Sequence, residues 1–150
     1  MLLSAFAVAI GNRRHKAAAL HNLGRMAQQH GDYEGASAHF TESLRLFLAL
    51  ENRVDGIVVL GSMACLAAAQ GHAEYAACIF GATEALREAM QVPSWKGMLY
   101  RDSYDHHRSS AQAKLGEDAW AAAWAAGAAM TLEQALAAAL GPSAVSHLND

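Results

Sequence analysis

Only two prolines, Pro93 and Pro142, occur in 150 residues, so little in the chain stops a helix. Charge is equally scarce. Charged residues make up 17% of the sequence against 53% hydrophobic, and the formal net charge is −3. That balance excludes the basic footprint of a nucleic-acid binder and the polybasic patch that holds a protein to an anionic membrane. The two cysteines, Cys65 and Cys78, fit no zinc or CxxC spacing, and a lone pair without a secretion signal stays reduced. The expected compartment is the cytoplasm. The apolar opening from Leu2 to Ile10 has no basic residues before it and Arg13-Arg14 after it, which is not the layout of a signal peptide. It is also too short to span a bilayer.

Chemistry-bearing motifs are missing as well. There is no glycine-rich phosphate loop, no HExxH and no helix-turn-helix signature, so no catalytic residue, metal ligand or cofactor is assigned. Eight histidines are present, but Asp102 and His106, one helical turn apart, make at most half a metal site. Adjacent His106 and His107 diverge by about 100° on a helix and do not chelate together. Ser109, Ser110 and Cys65 have no base that the sequence places beside them.

What the chain does contain is alanine, in runs such as 121–123 and 137–139, and an internal repeat. An offset of 40 aligns residues 11–50 with 51–90 and gives ten identical pairs, among them Leu20 with Leu60, Gly31 with Gly71, Ala36 with Ala76 and Phe40 with Phe80. Repeats of 20–50 residues mark solenoid architectures. Each unit reads as two helices. Asn12 caps the first helix, Gly31 closes it, and Asp32 opens a second that reaches about Leu50; one unit later Asn52 with Asp55 resembles a capping box, Gly71 ends the first helix, and the next runs to about Met90. Leu20, Leu23, Gly24 and Ala27 face Ala36, Phe40, Ser43 and Leu44 at intervals of three and four, with Gly24 leaving a hole for Phe40.

The sequence Leu20-x-x-Leu23-Gly24-x-x-Ala27-x-x-x-Gly31-Asp32-Tyr33-x-x-Ala36-x-x-x-Phe40-x-x-Ser43-Leu44 resembles the tetratricopeptide motif, with leucine in place of the tryptophan of the first helix. The unit is six residues longer than the usual 34. Such long units, with the later stretches Phe80-Gly81-Ala82-x-Glu84-Ala85-Leu86-Arg87-Glu88, Leu115-Gly116-Glu117-x-Ala119-Trp120 and Thr131-Leu132-Glu133-Gln134-Ala135, look like the C-terminal repeat region of bacterial regulators that join a signal-transduction ATPase to a LuxR-type DNA-binding domain. The resemblance implies an all-α, right-handed superhelix of antiparallel hairpins with about seven or eight helices. The expected organisation is one domain over 1–142: the end of a truncated repeat at 1–11, repeats at 12–50 and 51–90, an irregular third at 94–128, and a capping helix at 131–140. Residues 143–150 are expected to fray. Pro93-Ser94 stops one helix, and others are expected from about Trp95 to Leu115 and from Glu117 to Ala128. Trp120 and Trp124, one turn apart among alanines, should dock on the preceding helices.

The resemblance also implies a non-catalytic surface that binds a protein or peptide. Its concave face would carry Ala18, His21, Arg25, Gln28 and Gln29 in the first unit and Val58, Gly61, Cys65, Ala68 and Ala69 in the second, all on first helices. An extended or helical segment would lie there, with Arg25 pairing an acidic group. The expected role is a regulatory or sensor module; the alternative is an inducer-sensing domain for a small molecule such as a sugar. Neither direct nucleic acid nor membrane is expected as a partner.

The opening residues carry a further expectation. Shifted by 40, residues 2–10 read as the end of a second helix lacking its own first helix, which leaves Leu2, Leu3, Phe6, Val8 and Ile10 without cover. A solenoid end that is apolar tends to associate. A homodimer through residues 2–10 and the helix beginning near Asn12 is therefore expected, with twofold symmetry.

Overall fold

The computed structural model describes residues 2–92 and 101–140. Helix accounts for 88% of these residues and there is no strand among them. Seven helices follow in order: α1 Leu2–Gln29, α2 Tyr33–Ala49, α3 Arg53–Ala69, α4 Ala73–Ala89, α5 Arg101–Leu115, α6 Glu117–Ala128 and α7 Leu132–Leu140. The expected stop at Pro93-Ser94, the start near Trp95 and the tail 143–150 lie outside the described residues. Packing divides the chain into two compact units, residues 1–59 and 60–150, the division falling within α3. No described helix is long and apolar enough to cross a membrane.

The 40-residue repeat is written into the turns. At the end of α1 the Gly31 amide donates to the Gln28 carbonyl and the Asp32 amide to Ala27; at the end of α3 the Gly71 amide donates to Ala68 and the His72 amide to Ala67. These paired bonds define a Schellman closure, and glycine stands at its left-handed position with φ of 81° and 85°. The exits of the second helices match one another too. Asn52 donates to Phe47 and Val92 to Arg87, with Glu51 and Gln91 at φ 58° and 55°. The expected caps are present where the chain restarts: Asp32 accepts from the Gly35 amide at 2.9 Å, and Asn52 accepts from the Asp55 amide at 3.2 Å.

One cap is not used. α1 runs unbroken from Leu2 through Asn12, so residues 2–10 form its first turns and are not the tail of a separate helix. Asn52 works because a turn precedes it. At the corresponding point on α1, alanine-rich sequence lies on both sides, and continuing the helix keeps every i→i−4 backbone bond. Gly11 sits in this uninterrupted stretch, and a Cβ added there would meet nothing within 4 Å. Gly11→Ala is expected to stabilise the fold by about 0.5–1 kcal/mol, since glycine inside a helix is that much worse than alanine. A urea titration checks this; destabilisation would mean that a turn is present at Gly11.

In the first unit α1 and α2 form the hairpin. Ala36, Phe40, Ser43 and Leu44 are fully buried, and a Cβ on Gly24 would lie 2.5 Å from Phe40 Cε1, so the phenyl ring occupies the hole that the missing side chain leaves. The Ser43 hydroxyl donates to the Ala17 carbonyl at 2.6 Å and satisfies its buried oxygen. Leu23 departs from the expected core stripe. It is 47% exposed, because it stands about 90° around α1 from the line of Leu20 and Gly24 that faces α2.

The second unit is assembled on α4, against which α5, α6 and α7 pack. Phe80 is fully buried, edge-on to Tyr104 at 5.2 Å and 6.3 Å from Trp120. Trp120 is 8% exposed and lies 5.7 Å from Trp124, so the pair closes this core as expected. Two glycines let α6 approach: a Cβ on Gly81 would collide with the Trp124 carbonyl oxygen, and one on Gly127 with the Cys78 carbonyl oxygen. α7 opens on a reciprocal capping box, Thr131 amide to Gln134 Oε1 at 3.0 Å and Gln134 amide to Thr131 Oγ1 at 3.2 Å. The Tyr75 hydroxyl then ties α7 down by donating to the Ala138 carbonyl at 2.6 Å.

Candidate interaction faces

The ten positions expected on the concave face divide by burial. Ala18 and Gln29 are exposed; Arg25, Gln28, Val58 and Ala69 are half-buried; His21, Gly61, Cys65 and Ala68 are buried. The last four are therefore not part of an open groove. In the second unit the chain's own α5 stands over Gly61, and Cys65 and Ala68 belong to the common core. A Cβ on Gly61 would lie 3.2 Å from the ring of Tyr104, and Cys65 and Ala68 share one core cluster with Ala111 of α5. Sequence spacing puts these residues on the outer side of a first helix. It does not show that a helix some 40 residues downstream returns to that side.

Tyr104 is held at this site by a polar chain that the sequence did not reveal. Its hydroxyl donates to Glu84 Oε1 at 3.0 Å, Glu84 pairs with Arg87 at 3.0 Å, and Arg87 donates to the Val92 carbonyl at 3.2 Å. Burial, and then the Glu84 carboxylate beside it, push the phenol well above its usual range. Tyr104 thus stays neutral and serves as a donor.

His21 belongs to the core, where the sequence reading had made it a polar contact for a partner. Its ring lies 5.8 Å from that of Phe40, and its pKa falls to about 4, first by burial and then by Arg25 one turn on, with Asp55 acting in the opposite sense. The folded protein therefore keeps His21 neutral where the unfolded chain, titrating near 6.5, takes a proton. Above that pH both states are neutral and the group adds no dependence. As pH falls from about 6.5 to about 4 the unfolded state gains, and stability drops by about 2–3 kcal/mol. This component should vanish in His21→Leu when urea midpoints at pH 7 and pH 4.5 are compared. An equal acid loss in both proteins would show that His21 is not its source.

A second concavity was not read from the sequence. A cleft of about 750 Å³ opens beside the start of α4, between its first turns, the end of α5 and α6. Ala73, Leu115, Ala123 and Ala126 give it an apolar wall, and His72, Glu74 and Tyr75 a polar one. Cys78 also lines it, but burial raises the thiol pKa, which disfavours the thiolate at neutral pH. The missing signal lay in α6, where Ala123 and Ala126 look like any other alanines.

The expected N-terminal surface is open. Phe6, Val8 and Ile10 are 67%, 61% and 41% exposed. Leu2 and Leu3 lie in the first turn of α1, and their side chains fall outside the described residues. Val8 points about 160° away from both Phe6 and Ile10 around the helix, so no single partner helix covers all three. Of the other groups singled out in the sequence, the His106 and His107 rings meet at 5.6 Å, and burial followed by His106 lowers the pKa of His107. Neither Cys65 nor Cys78 forms a disulfide among the described residues. Among the described residues no three His, Cys, Asp or Glu side chains converge as metal ligands. Compared with protein-family models, with curated proteins and with solved structures, the chain matches none.

Proposed function

We propose that the chain is a non-catalytic, tetratricopeptide-like scaffold that binds a segment of another protein, acting in the cytoplasm as the regulatory or sensor part of a bacterial regulator of the LuxR-linked ATPase kind. The observation that carries this reading is the seat of Tyr104 on α3. Ala18, His21, Arg25, Gln28 and Gln29 stand 40 residues before Val58, Gly61, Cys65, Ala68 and Ala69, so the two sets are the same face of successive units. In the second unit that face takes a helix of the chain itself. The matching face of the first unit presents Arg25, Gln28 and Gln29, groups suited to an acidic or amide-bearing helix laid on it in the same way.

A titration calorimetry series with amphipathic peptides of differing charge tests this. Acidic peptides should bind, and Arg25→Glu should abolish the binding while leaving the helix content unchanged. Binding that ignores peptide charge, or survives Arg25→Glu, would overturn it. The cleft beside Tyr75 favours a second reading, a small-molecule inducer site with the aromatic ring as its platform. A thermal-shift screen of peptides, nucleotides and sugars separates the two, because only a ligand of the native state raises the midpoint by mass action. A sugar that acts in the parent protein and fails in Tyr75→Ala would favour the cleft.

A further inference from the structure

We propose that α5 is a removable occupant of the second unit: its Tyr104 plugs a ring-sized socket over Gly61 and Phe80, and when α5 lifts away the socket takes a partner helix that presents tyrosine, alanine and leucine in the same pattern. This goes beyond the partner-binding reading, which concerns the first unit, and stands without it.

The socket exists because position 61 has no side chain. In the first unit the residue 40 places earlier is His21, whose ring is buried 5.8 Å from that of Phe40. In the second unit the phenylalanine is Phe80, and α3 has no aromatic residue to lay on it. Tyr104 supplies the ring instead, edge-on at 5.2 Å. A Cβ on Gly61 would lie 3.2 Å from the Tyr104 ring and 3.5 Å from Thr83 Cγ2, so the phenol stands in the space that the glycine leaves. Each hairpin thus buries one ring against its phenylalanine; the first carries its own, and the second borrows one from α5.

Apart from this plug α5 is poorly anchored. Tyr104, Ala111, Ala113 and Leu115 are its only apolar residues, and Ala111 is the one fully buried side chain of α5 among the described residues. Tyr104, Ala111 and Leu115 lie within about 40° of one another around the helix and all three join the core cluster, so a single narrow stripe holds α5 down. By contrast α6 meets α4 backbone to backbone at Gly81 and Gly127. The part of a fold with the least buried apolar surface opens first. The polar end of the plug also releases cleanly: the Tyr104 hydroxyl donates to Glu84 at 3.0 Å, and Arg87 pairs with the same carboxylate at 3.0 Å, so Glu84 keeps a partner when the phenol leaves. The seated α5 itself shows what the socket accepts: a helix with a tyrosine, an alanine seven residues on and a leucine four beyond that.

Hydrogen–deuterium exchange of the full chain, read by mass spectrometry, tests the release without any substitution. Amides of residues 102–115 should exchange roughly tenfold or more faster than those of α4 and α6. Equal rates in all three would overturn the proposal, since α5 would then open only with the whole core. A labelled peptide of residues 101–115 probes the socket. It should bind Tyr104→Ala about tenfold or more tightly than it binds the parent, whose own ring competes, and a peptide with alanine in place of its tyrosine should not bind. Gly61→His, which puts the ring of the first unit back on α3, should refuse the peptide and speed exchange in α5 while α4 and α6 stay protected. If Tyr104→Ala loses its helix signal, Gly61→His and the exchange rates decide. Equal binding of both peptides, or no binding to a folded Tyr104→Ala, would show that there is no aromatic socket.

Discussion

Gly127→Leu is expected to separate α6 from α4 and to lower stability by about 4 kcal/mol or more, at the extreme of single substitutions. The helices touch backbone to backbone here, since a Cβ on Gly127 would collide with the Cys78 carbonyl oxygen and one on Gly81 with the Trp124 carbonyl oxygen. Close packing leaves no room for relaxation. Gly127→Ala gains about 1 kcal/mol of helix propensity in isolation, yet should still cost about 1–3 kcal/mol because the clash is with backbone and no rotamer relieves it. Urea unfolding monitored by tryptophan fluorescence measures both, Trp120 and Trp124 being on the displaced helix. A leucine variant within about 1 kcal/mol of the parent would show that α6 does not lie against α4 in this way.

Phe80→Ala and Phe40→Ala are each expected to cost about 3–5 kcal/mol, the range for truncating a buried phenylalanine. Both rings are fully buried, but their surroundings differ. Phe40 fills the hole over Gly24 beside His21, whereas Phe80 holds together Tyr104 of α5 and Trp120 of α6. The Phe80 variant should therefore also lose the near-ultraviolet signal of the tryptophans, and the Phe40 variant should keep most of it. Losses below about 1 kcal/mol at both sites would mean that neither ring is core and that the repeat register is misplaced.

Local chemistry made much of this fold readable in advance. The glycines at 31 and 71, the caps at Asp32 and Asn52, and the Thr131–Gln134 box each satisfy backbone groups within a few residues of themselves, so their signals are complete in the sequence. Asn12 shows the limit. It has the same neighbour, Arg13, as its counterpart Asn52 has in Arg53, yet a cap needs a turn before it, and residues 4–10 are exposed, with no packing among the described residues to favour a turn over more helix. The site was less legible than the fold for a related reason. His21, Gly61, Cys65 and Ala68 lie on the expected side of their helices, but Tyr104 of α5 stands over Gly61, and no periodicity records that return. The alanine-rich α6 concealed Gly127 among residues of nearly its own size. A signal was available in Gly81, set in Phe80-Gly81-Ala82, with Trp120, Ala123 and Gly127 at helical spacing: small residues on two helices marking a close crossing.

The account rests on a 40-residue helix-hairpin unit that occurs twice, the first helix of the first unit being α1, which runs without interruption from Leu2. Backbone carbon chemical shifts of the full chain test that claim most directly. Helical shifts are expected to run unbroken through residues 8–16, with non-helical values at Gly31, Glu51, Gly71 and Gln91, the positive-φ positions spaced by the repeat. A turn signature at Gly11 and Asn12, or helical values at Glu51 and Gln91, would contradict it.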